Sequence, residues 1–383
     1  MPDDPPSAAD LRARFDAGGP LTVGLEEELM LLDPETLDLT PEAPAALGRL
    51  ADDERFKLEL PASQIEVVTA PSATVAEAAL ALSAARERLA DALSGSYRLA
   101  GAGVHPFAAA HGVLNSTPRY DETAREYGLV ARRQLVFGLH VHVAVAGADR
   151  ALAVFNALRS HLPEVAALAA NAPYYEGRDS GMASVRPKLS ELLPRQGVPP
   201  AMATWESLAE AFAWGRRAQR FRAAQWWWEA RLHPVHGTIE VRVPDTQITV
   251  ADTAAVGAVI HSLVHHLAAR HDAGELPPVA ETWRIEENRW SACRHGLDGR
   301  LADLATGETR PTRERLECLL GELAASAAQV GATSELEHAR ALLEANGAQR
   351  QREVASSGGP RELVAWLAAA FAPTPVSPAK SRG

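Results

Sequence analysis

The segment of residues 24–32 constrains the fold most, because it places three consecutive glutamates inside an otherwise apolar run, Gly-Leu-Glu-Glu-Glu-Leu-Met-Leu-Leu. Apart from its charges, this composition is typical of a buried β-strand. Side chains alternate between the two faces of a strand, so Glu26 and Glu28 share one face and Glu27 lies on the other. Two carboxylates on one buried face repel each other unless cations or ionised groups lie opposite them. The rest of the chain must supply such partners.

Three other extended segments show the same division into an aliphatic face and a polar face. The polar positions are Glu66 in residues 56–68, His140 and His142 in residues 135–145, and Glu240 and Arg242 in residues 237–245. A face that simply meets water carries a mixture of Lys, Thr, Ser and Glu, and for any one strand this interpretation stays open. Taken together, the polar faces hold carboxylates, imidazoles and one arginine but no lysine, which indicates a site.

Apolar residues at helical spacing predict helices in the rest of the chain. The predicted helices cover residues 75–93, 149–170, 205–224, 249–271, 311–330, 334–346 and 361–371, and a further helical segment begins at residue 287. This order of elements favours an α+β fold in which helices pack on the outer face of an antiparallel sheet. We expect a flexible leader over residues 1–19, a single domain over residues 20–372 and a flexible tail over residues 373–383.

Composition narrows the class of protein. The 383 residues carry a formal net charge of −11, which argues against broad contact with nucleic-acid phosphates. The two cysteines, Cys293 and Cys318, lack the spacing of a structural zinc site or a disulfide framework. The N-terminus has no signal-peptide pattern, and no run of about 18 apolar residues predicts a membrane span. We therefore expect a cytoplasmic protein that binds neither nucleic acid nor membrane, with homo-oligomerisation left open.

The shared polar face suits a hard divalent cation. A face rich in glutamate with few imidazoles favours Mg²⁺ or Mn²⁺ over Zn²⁺, which prefers His and Cys ligands. Such ions would also explain how Glu26 and Glu28 stay ionised side by side. The sequence contains neither a GxxxxGK[ST] phosphate loop nor an HExxH zinc motif. If a nucleotide binds, metals and arginines such as Arg242 must therefore hold its phosphates.

Six short motifs, in their order along the chain, resemble the glutamate–cysteine ligase 2 family, a group of carboxylate–amine ligases within the glutamine synthetase-like superfamily. They are Gly24-x-Glu26-x-Glu28, Gly138-x-His140-x-His142, Gly177-Arg-Asp-x-Gly181 within residues 171–186, Arg231-x-His-Pro234, Thr238-x-Glu240-x-Arg242-x-Pro-Asp245 and Glu287-Asn-Arg-Trp290. The resemblance covers about residues 20–300. Each motif alone is weakly specific, but together and in this order they form a strong match.

The resemblance implies a glutamine synthetase-like catalytic domain, built on a cupped antiparallel sheet with helices packed on its outer face. It also implies small-molecule substrates, namely ATP, L-glutamate as the carboxylate donor and L-cysteine as the amine. With Mg²⁺ as the cofactor, these would give γ-glutamylcysteine, ADP and phosphate. Transfer of the γ-phosphoryl group to the carboxylate would form an acyl phosphate, which the amine then attacks.

The resemblance also implies roles for individual residues. One Mg²⁺ would be bound by Glu26, His140 and Glu240, and a second by Glu28, Glu59 and Glu66. Glu240 and Arg242 would be the catalytic residues, with Arg242 stabilising the transferring phosphoryl group. His142 would lie near the phosphates or behind the metal ligands. The arginines that would bind phosphate or the amino-acid carboxylate are Arg231, Arg178 and Arg186.

Two other functions stay open from the residues alone. A metal-dependent hydrolase could use His140, His142 and nearby carboxylates to hold a metal that activates water, without any need for ATP. That function offers no common role for Glu28, Glu66 and Arg242. A non-catalytic sensor of amino acids or nucleotides could keep the same fold, but no member of the implied ligand set is missing from the sequence.

Overall fold

The computed structural model describes residues 4–50 and 53–371, and there it shows the α+β fold that the sequence predicts. The strands are β1 (Val23–Leu32), β2 (Phe56–Leu58), β3 (Gln64–Val68), β4 (Arg98–Ala100), β5 (Leu139–Ala144), β6 (Tyr174–Tyr175), β7 (Arg178–Asp179), β8 (Ala230–His233), β9 (Thr238–Val241), β10 (Arg300–Ala302) and β11 (Thr309–Pro311).

The helices are α1 (Ala8–Asp16), α2 (Ala43–Leu47), α3 (Val75–Leu93), α4 (Pro118–Tyr127), α5 (Leu129–Arg132), α6 (Ala148–Leu158), α7 (Leu162–Leu168), α8 (Arg186–Ser190), α9 (Trp205–Arg217), α10 (Val250–Asp272), α11 (Thr282–His295), α12 (Thr312–Gln329), α13 (Thr333–Glu344) and α14 (Gly347–Phe371). Helix α14 contains a kink at Gly359, just before Pro360. Within the described ranges, no helix combines the length and the apolar character that a membrane span requires.

The centre of the fold is an antiparallel sheet in which β1 is the middle strand. In the described part of the chain this sheet has seven strands, in the order β2-β3-β1-β5-β9-β8, with β4 paired to β1 off this path. One edge of β1 pairs with β3, while its other edge pairs with β5 along the first half and with β4 along the second. The extended segments singled out in the sequence cover β1, β2, β3, β5 and β9, whereas none of them covers β8, which begins two residues after Trp228.

The register of the sheet brings the predicted polar residues to one face, because residues directly opposite each other on paired strands point to the same side. The opposed pairs are Glu26 with His140, Glu28 with Glu66, His142 with Glu240, and Arg231 with Glu240. The expectation that this face lacks lysine is wrong. Lys57 lies opposite Glu66 on the edge strand β2, with its Nζ 3.8 Å from the Glu66 carboxylate.

The opposite face of the sheet is aliphatic and packs against helices α3 and α10. Leu25, Val141 and Ile239 are fully buried there, as the alternation in the sequence predicts. Glu27 points to this side and is also fully buried. Its carboxylate accepts hydrogen bonds from Arg86 of α3, so the buried charge is paired within the helical layer.

Within the predicted flexible leader over residues 1–19, residues 8–16 form helix α1, so the prediction is wrong for this segment. Ser7 and Asp10 form a capping box at its start, in which the Ser7 hydroxyl accepts from the Asp10 N–H and the Asp10 carboxylate accepts from the Ser7 N–H. Leu11 and Phe15, four residues apart on one side of the helix, are fully buried. Burial of this apolar pair docks the segment onto the domain. The predicted tail over residues 373–383 lies outside the described residues.

Other differences from the predicted elements have local causes. The single helix predicted over residues 149–170 is divided into α6 and α7 by a 3₁₀ turn, Arg159–His161. Pro163 follows this turn in the first turn of α7, where its missing N–H costs no hydrogen bond. The extended segment 56–68 is two strands, separated at Pro61. The helix predicted from residue 205 ends at Arg217.

Candidate active site

The polar face of the sheet carries a compact group of side chains, the acidic cluster, which consists of Glu26, Glu28, Glu66, His140, His142 and Glu240. Nδ1 of His140 lies 3.2 Å from Oε2 of Glu26 and 3.9 Å from Oε1 of Glu240. Nε2 of His142 lies 3.3 Å from Oε1 of Glu26 and 3.9 Å from Oε1 of Glu240. The structure thus brings together residues that are up to 214 positions apart in the sequence, as the alternating patterns predict.

Two arginines form ion pairs with Glu240 at the centre of this face. Arg231 donates from Nε to Oε2 of Glu240 and from Nη2 to Oε1, the latter at 3.1 Å. Arg242 donates from Nη1 to Oε1 of Glu240, and the same nitrogen lies 3.3 Å from Nδ1 of His140. Burial opposes ionisation of Glu240, but the charges of Arg231 and Arg242 outweigh burial and hold its pKa well below the usual range. Glu240 is therefore ionised and flanked by two guanidinium groups.

Glu28, Glu59 and Glu66 have too little positive charge around them. Burial, followed by the charge of Glu59, raises the pKa of Glu28 to about 7. The same two causes raise the pKa of Glu66 well above its usual range, and burial raises the pKa of Glu59. A bound cation would replace the missing positive charge, because an opposite charge at close range favours the ionised form of each carboxylate.

Glu26 and His140 are already in the forms that bind a metal ion. Burial opposes ionisation of Glu26, but its contacts with His140 and His142 outweigh burial and lower its pKa. Burial, followed by the charge of Arg242, lowers the pKa of His140 to about 4. Its imidazole is therefore neutral near neutral pH, which is the form that donates a lone pair to a metal.

Donor atoms of the cluster converge in two groups of three. One group is Glu26, Glu66 and His140, and the other is Glu26, His142 and Glu240; in each, the ligand atoms lie within 4.8 Å of one another. The family resemblance implies a different division of the ligands. In the structure, Glu66 groups with Glu26 and His140 rather than with Glu28 and Glu59, and His142 replaces His140 in the group that contains Glu26 and Glu240. Carboxylate oxygens with one imidazole nitrogen suit Mg²⁺ or Mn²⁺, so the residues present fit the implied cation.

The two arginines predicted to grip a substrate carboxylate lie in different environments. Arg186 is buried, and its Nη1 and Nη2 donate to the carbonyl oxygens of Val243 and Arg242 at 3.2 and 3.1 Å. Its Nη1 also lies 3.6 Å from Asp245. Arg186 therefore supports the backbone that carries Arg242. Arg178 is exposed on the β6–β7 hairpin. It is not among the described residues that line the cavity beside the acidic cluster.

A cavity of about 140 Å³ opens beside the acidic cluster, and we call it the side cavity. Its wall toward the cluster includes Glu28, His140 and Arg242, with Glu59 between β2 and β3. The rest of the lining includes residues that the sequence did not single out, among them Gln64, Arg119, Tyr120, Thr123, Gln134, Val136, Gln225 and Trp227. Thr117 and Pro118 are a helix-start signal that could have located α4, but no local pattern indicates that α4 lies here.

His233 and His236 extend the imidazole surface next to His142. The ring centroids of His233 and His236 lie 5.5 and 5.8 Å from that of His142. The rings of His233 and His236 stack on each other, with their centroids 4.3 Å apart. Nδ1 of His233 accepts hydrogen bonds from the backbone N–H groups of Val235 and His236, at 3.3 and 3.0 Å. The turn between β8 and β9 creates this arrangement, and the spacing of the histidines in the sequence did not indicate it.

Two solved structures have the same fold as this chain. The structure resembles a glutamate–cysteine ligase from Francisella tularensis, solved in complex with AMP, with a TM-score of 0.67 over 95% of this chain and 91% of that chain. It also resembles a bifunctional glutathione synthetase from Pasteurella multocida, with a TM-score of 0.67 over 95% of this chain and 53% of that chain. The sequence identities are 12% and 15%, so these likenesses show a shared fold, that of the glutamate–cysteine ligase class.

The chain belongs to the glutamate–cysteine ligase family 2, whose family model matches residues 22–368. It is 41% identical to a Rubrobacter xylanophilus protein named "Putative glutamate--cysteine ligase 2-3", over 94% of this chain and 100% of that relative. It is 35% identical to a Gloeobacter violaceus protein named "Putative glutamate--cysteine ligase 2", over 91% of this chain and 95% of that relative. The family predicted from the six motifs is confirmed.

Proposed function

We propose that this protein is an ATP- and Mg²⁺-dependent carboxylate–amine ligase that joins L-glutamate to L-cysteine. The proposal rests mainly on one observation: buried carboxylates and imidazoles share a face of the sheet with Arg231 and Arg242. Phosphoryl transfer requires this combination of cation ligands and guanidinium groups around the phosphates. The names of the relatives, and the AMP complex of the Francisella tularensis ligase, support the same class of reaction.

The two three-donor groups are the residues that would hold Mg²⁺. Glu26 is shared between them, Glu66 and His140 complete one, and His142 and Glu240 complete the other. Mn²⁺ would suit the same donors. When bound, the ion neutralises phosphate charge and orients the phosphates for transfer.

The proposed reaction has two steps. The γ-carboxylate of glutamate attacks the γ-phosphorus of ATP, the bond to the bridging oxygen breaks, and ADP leaves. The amine of cysteine then attacks the acyl carbon of the acyl phosphate, phosphate leaves, and the amine nitrogen loses a proton. The final product is γ-glutamylcysteine.

The protein's own contribution is to position charge and to exclude water. Arg242 and Arg231 are held on the polar face by Glu240, where they can stabilise the charge that develops on the transferring phosphoryl group. Arg186 fixes the backbone at Arg242 and Val243, so the guanidinium of Arg242 starts from a supported position. The burial of the cluster strengthens these interactions, because fewer waters screen them.

The test is ADP release by the purified protein with ATP and Mg²⁺, over a panel of amino acids given singly and in pairs. Release that requires L-glutamate and increases with L-cysteine would support the proposal. Release with a different acid and amine would retain the ligase chemistry and overturn the substrates. If no pair causes release, the proposal is wrong, and the hydrolase or sensor function becomes the better explanation.

A further inference from the structure

Helix α11 carries the motif Glu287-Asn-Arg-Trp290, to which the proposed function gives no role. Asn288 is buried, and its side chain donates to the carbonyl oxygen of Ala302 and accepts from the N–H of the same residue, both at 2.7 Å. It therefore anchors the helix to strand β10. Arg289 instead donates to Glu229, which lies in the wall of the side cavity. The motif thus reaches the candidate active site through Arg289.

Three carboxylates surround the buried guanidinium of Arg289. Its Nε lies 2.7 Å from each carboxylate oxygen of Glu229, and its Nη2 lies 2.6 Å from Oε1 of Glu229. Its Nη1 donates to Glu191 and, at 3.3 Å, to Glu286. A planar guanidinium can bind several carboxylates in fixed directions, which the single ammonium of a lysine cannot do. Arg289 therefore holds the Glu229 side chain in one orientation.

The backbone of Glu229 is bonded to the backbone of Arg242. Glu229 directly precedes β8 and Arg242 directly follows β9, so these two residues form the next opposed pair beyond the ladder. The N–H of Arg242 donates to the carbonyl oxygen of Glu229 at 2.7 Å. Because the ends of strands fray easily, the position of Arg242 depends on this bond and on the bonds that Arg186 makes to the same segment.

A second contact from helix α11 supports Glu229 through its backbone N–H. This N–H donates to the carbonyl oxygen of Gly197 at 3.0 Å. Oε1 of Glu286 accepts from the N–H of the next residue, Val198, at 2.7 Å. Gly197 has a φ of +85°, and a Cβ there would lie 2.7 Å from the same oxygen of Glu286, so only glycine allows this approach. Helix α11 thus constrains both the side chain and the backbone of Glu229.

The pairing of Arg289 with Glu229 is costly if it only adds stability. The two residues are 1% and 7% exposed, so both charged groups lose most of their hydration. Apolar side chains of similar volume often replace a buried ion pair without loss of stability. A buried network with satisfied hydrogen bonds does fix one geometry, which apolar contacts do less strictly. This property is what a phosphoryl-transfer site requires.

We propose that Arg289 is a positioning residue for Arg242 and acts on it through the side chain and backbone of Glu229. This inference rests on the proposed function, in which Arg242 stabilises the transferring phosphoryl group. Glu229 is among the described residues that line the side cavity, and Arg289 is not. Arg289 therefore influences the reaction through Glu229 rather than by contact with a substrate.

A double-mutant cycle on the rate of ADP release separates positioning from a general structural defect. We expect Arg289→Lys to lower kcat by about tenfold, the scale of one lost charged hydrogen bond, with little change in the KM for ATP. In a protein that already carries Arg242→Ala, the same substitution should change the rate by less than about twofold, because the group that Arg289 positions is gone. An unchanged kcat in Arg289→Lys, or an equal loss in both proteins, would overturn the inference.

Two further variants complete the cycle. Glu229→Gln removes the charge that Arg289 binds, so it should lower kcat to a similar extent and cause no further loss when combined with Arg289→Lys. It also carries the test if urea unfolding shows that Arg289→Lys does not fold. The matched control is Arg315→Lys, because Arg315 of α12 holds the buried Glu164 of α7 in the same way, outside the described lining of the side cavity. Any loss that this control causes should be equal with and without Arg242→Ala.

Crystal structures of the wild type, Arg289→Lys and Arg315→Lys test the same link without turnover. We expect the Arg242 guanidinium to leave its place beside Oε1 of Glu240 in Arg289→Lys and to keep it in Arg315→Lys. An Arg242 side chain that stays in place in Arg289→Lys would overturn the inference. If the wild type releases no ADP with any pair of amino acids but Arg242 is displaced in Arg289→Lys, the proposed function is wrong and the positioning of Arg242 by Arg289 is supported.

Discussion

Glu27 and Arg86 form an ion pair of two parallel hydrogen bonds beneath the sheet, with Arg86 Nε 2.8 Å from Oε2 of Glu27 and Arg86 Nη2 2.9 Å from Oε1. The Thr253 hydroxyl of α10 also donates to Oε1 of Glu27. This glutamate therefore joins β1 to two helices, while Glu26 and Glu28 on either side of it face the site. Glu27 thus has a structural role, whereas the adjacent Glu26 and Glu28 belong to the proposed catalytic site.

Removing Arg86 should strongly destabilise the protein. Arg86→Met leaves the Glu27 carboxylate buried without its cation, and breaking a buried ion pair in this way costs about 3–5 kcal/mol. Urea unfolding followed by circular dichroism would measure the loss. Arg12→Met is the control, because Arg12 pairs with Asp149 at the surface and should change stability little. Similar unfolding midpoints for the two variants would contradict the structural role of the Glu27–Arg86 pair.

Arg242→Ala should lower ADP release by about 10³-fold or more, as expected for an arginine that stabilises a transferring phosphoryl group. Arg242→Lys should recover only part of the rate, because lysine cannot reproduce the paired donors of a guanidinium. Initial rates at saturating ATP and amino acids would measure both effects. The exposed Arg217, which pairs with Glu210, provides the control variant Arg217→Ala. Near-normal turnover in Arg242→Ala would remove Arg242 from the proposed mechanism.

Mg²⁺ should raise the unfolding temperature of the protein in the absence of nucleotide. Its binding would offset the burial, and then the repulsion from Glu59, that raise the pKa values of Glu28 and Glu66, and a ligand that binds only the folded state stabilises it. Differential scanning calorimetry with a magnesium titration, against EDTA, is the measurement. Glu66→Gln should reduce the magnesium-dependent rise, whereas Glu317→Gln, on the exposed surface of α12, should not. A rise of equal size in both variants would argue against a cation at Glu66.

Stability in acid should depend on Asp252, which joins three helices. Its carboxylate accepts from Arg350 at 2.8 Å and lies 3.0 Å from Nε2 of His338. Burial opposes its ionisation, but the charge and hydrogen bond of Arg350, with the hydrogen bond of His338, outweigh burial and lower its pKa below the ordinary 3.8. This stabilisation is complete above the unfolded-state pKa and is lost as the pH falls through the lower folded-state pKa.

Asp252→Asn tests this pH dependence. The free energy of unfolding of the variant should lie below that of the wild type at pH 7, and the difference should shrink as the pH falls below about 4. Urea denaturation at a series of pH values would measure it. Asp272→Asn, at the exposed end of α10, should leave the pH profile unchanged. A difference between Asp252→Asn and wild type that stays constant down to low pH would refute the assignment.

Much of the fold and of the site face could be predicted from local patterns in the sequence. The alternation in residues 24–28 and at 140 and 142 correctly separated the site face from the helix-covered face, because the period of a strand is a property of the strand alone. The helix α1 was missed although Ser7 and Asp10 form a capping box that the sequence contains. The expected absence of lysine from the polar face is also wrong, because a single strand over residues 56–68 would place Lys57 and Glu66 on opposite faces, whereas β2 and β3 are separate strands that pair Lys57 with Glu66.

Local patterns in the sequence do not indicate which residues pair across long stretches of the chain. Arg86 lies 59 positions from Glu27, and nothing in the sequence near either residue indicates the other. Arg186 is expected at a substrate carboxylate and does line the side cavity, but the sequence did not indicate that it also donates to the carbonyl oxygens of Arg242 and Val243. Arg119 and Gln64 belong to no recognised motif, and only the packing of α4 against β2 places them in one cavity.

By itself, the sequence determined the family of this protein and the faces of its central strands, since both depend on residue types at short, fixed spacings. Only the tertiary structure decided which carboxylates and imidazoles meet, how Arg231 and Arg242 share Glu240, and which side chains line the side cavity. The physical reason is that strand register and helix packing bring together residues from distant parts of the chain. Donor distances of 3–4 Å depend on that register, which a single sequence does not display.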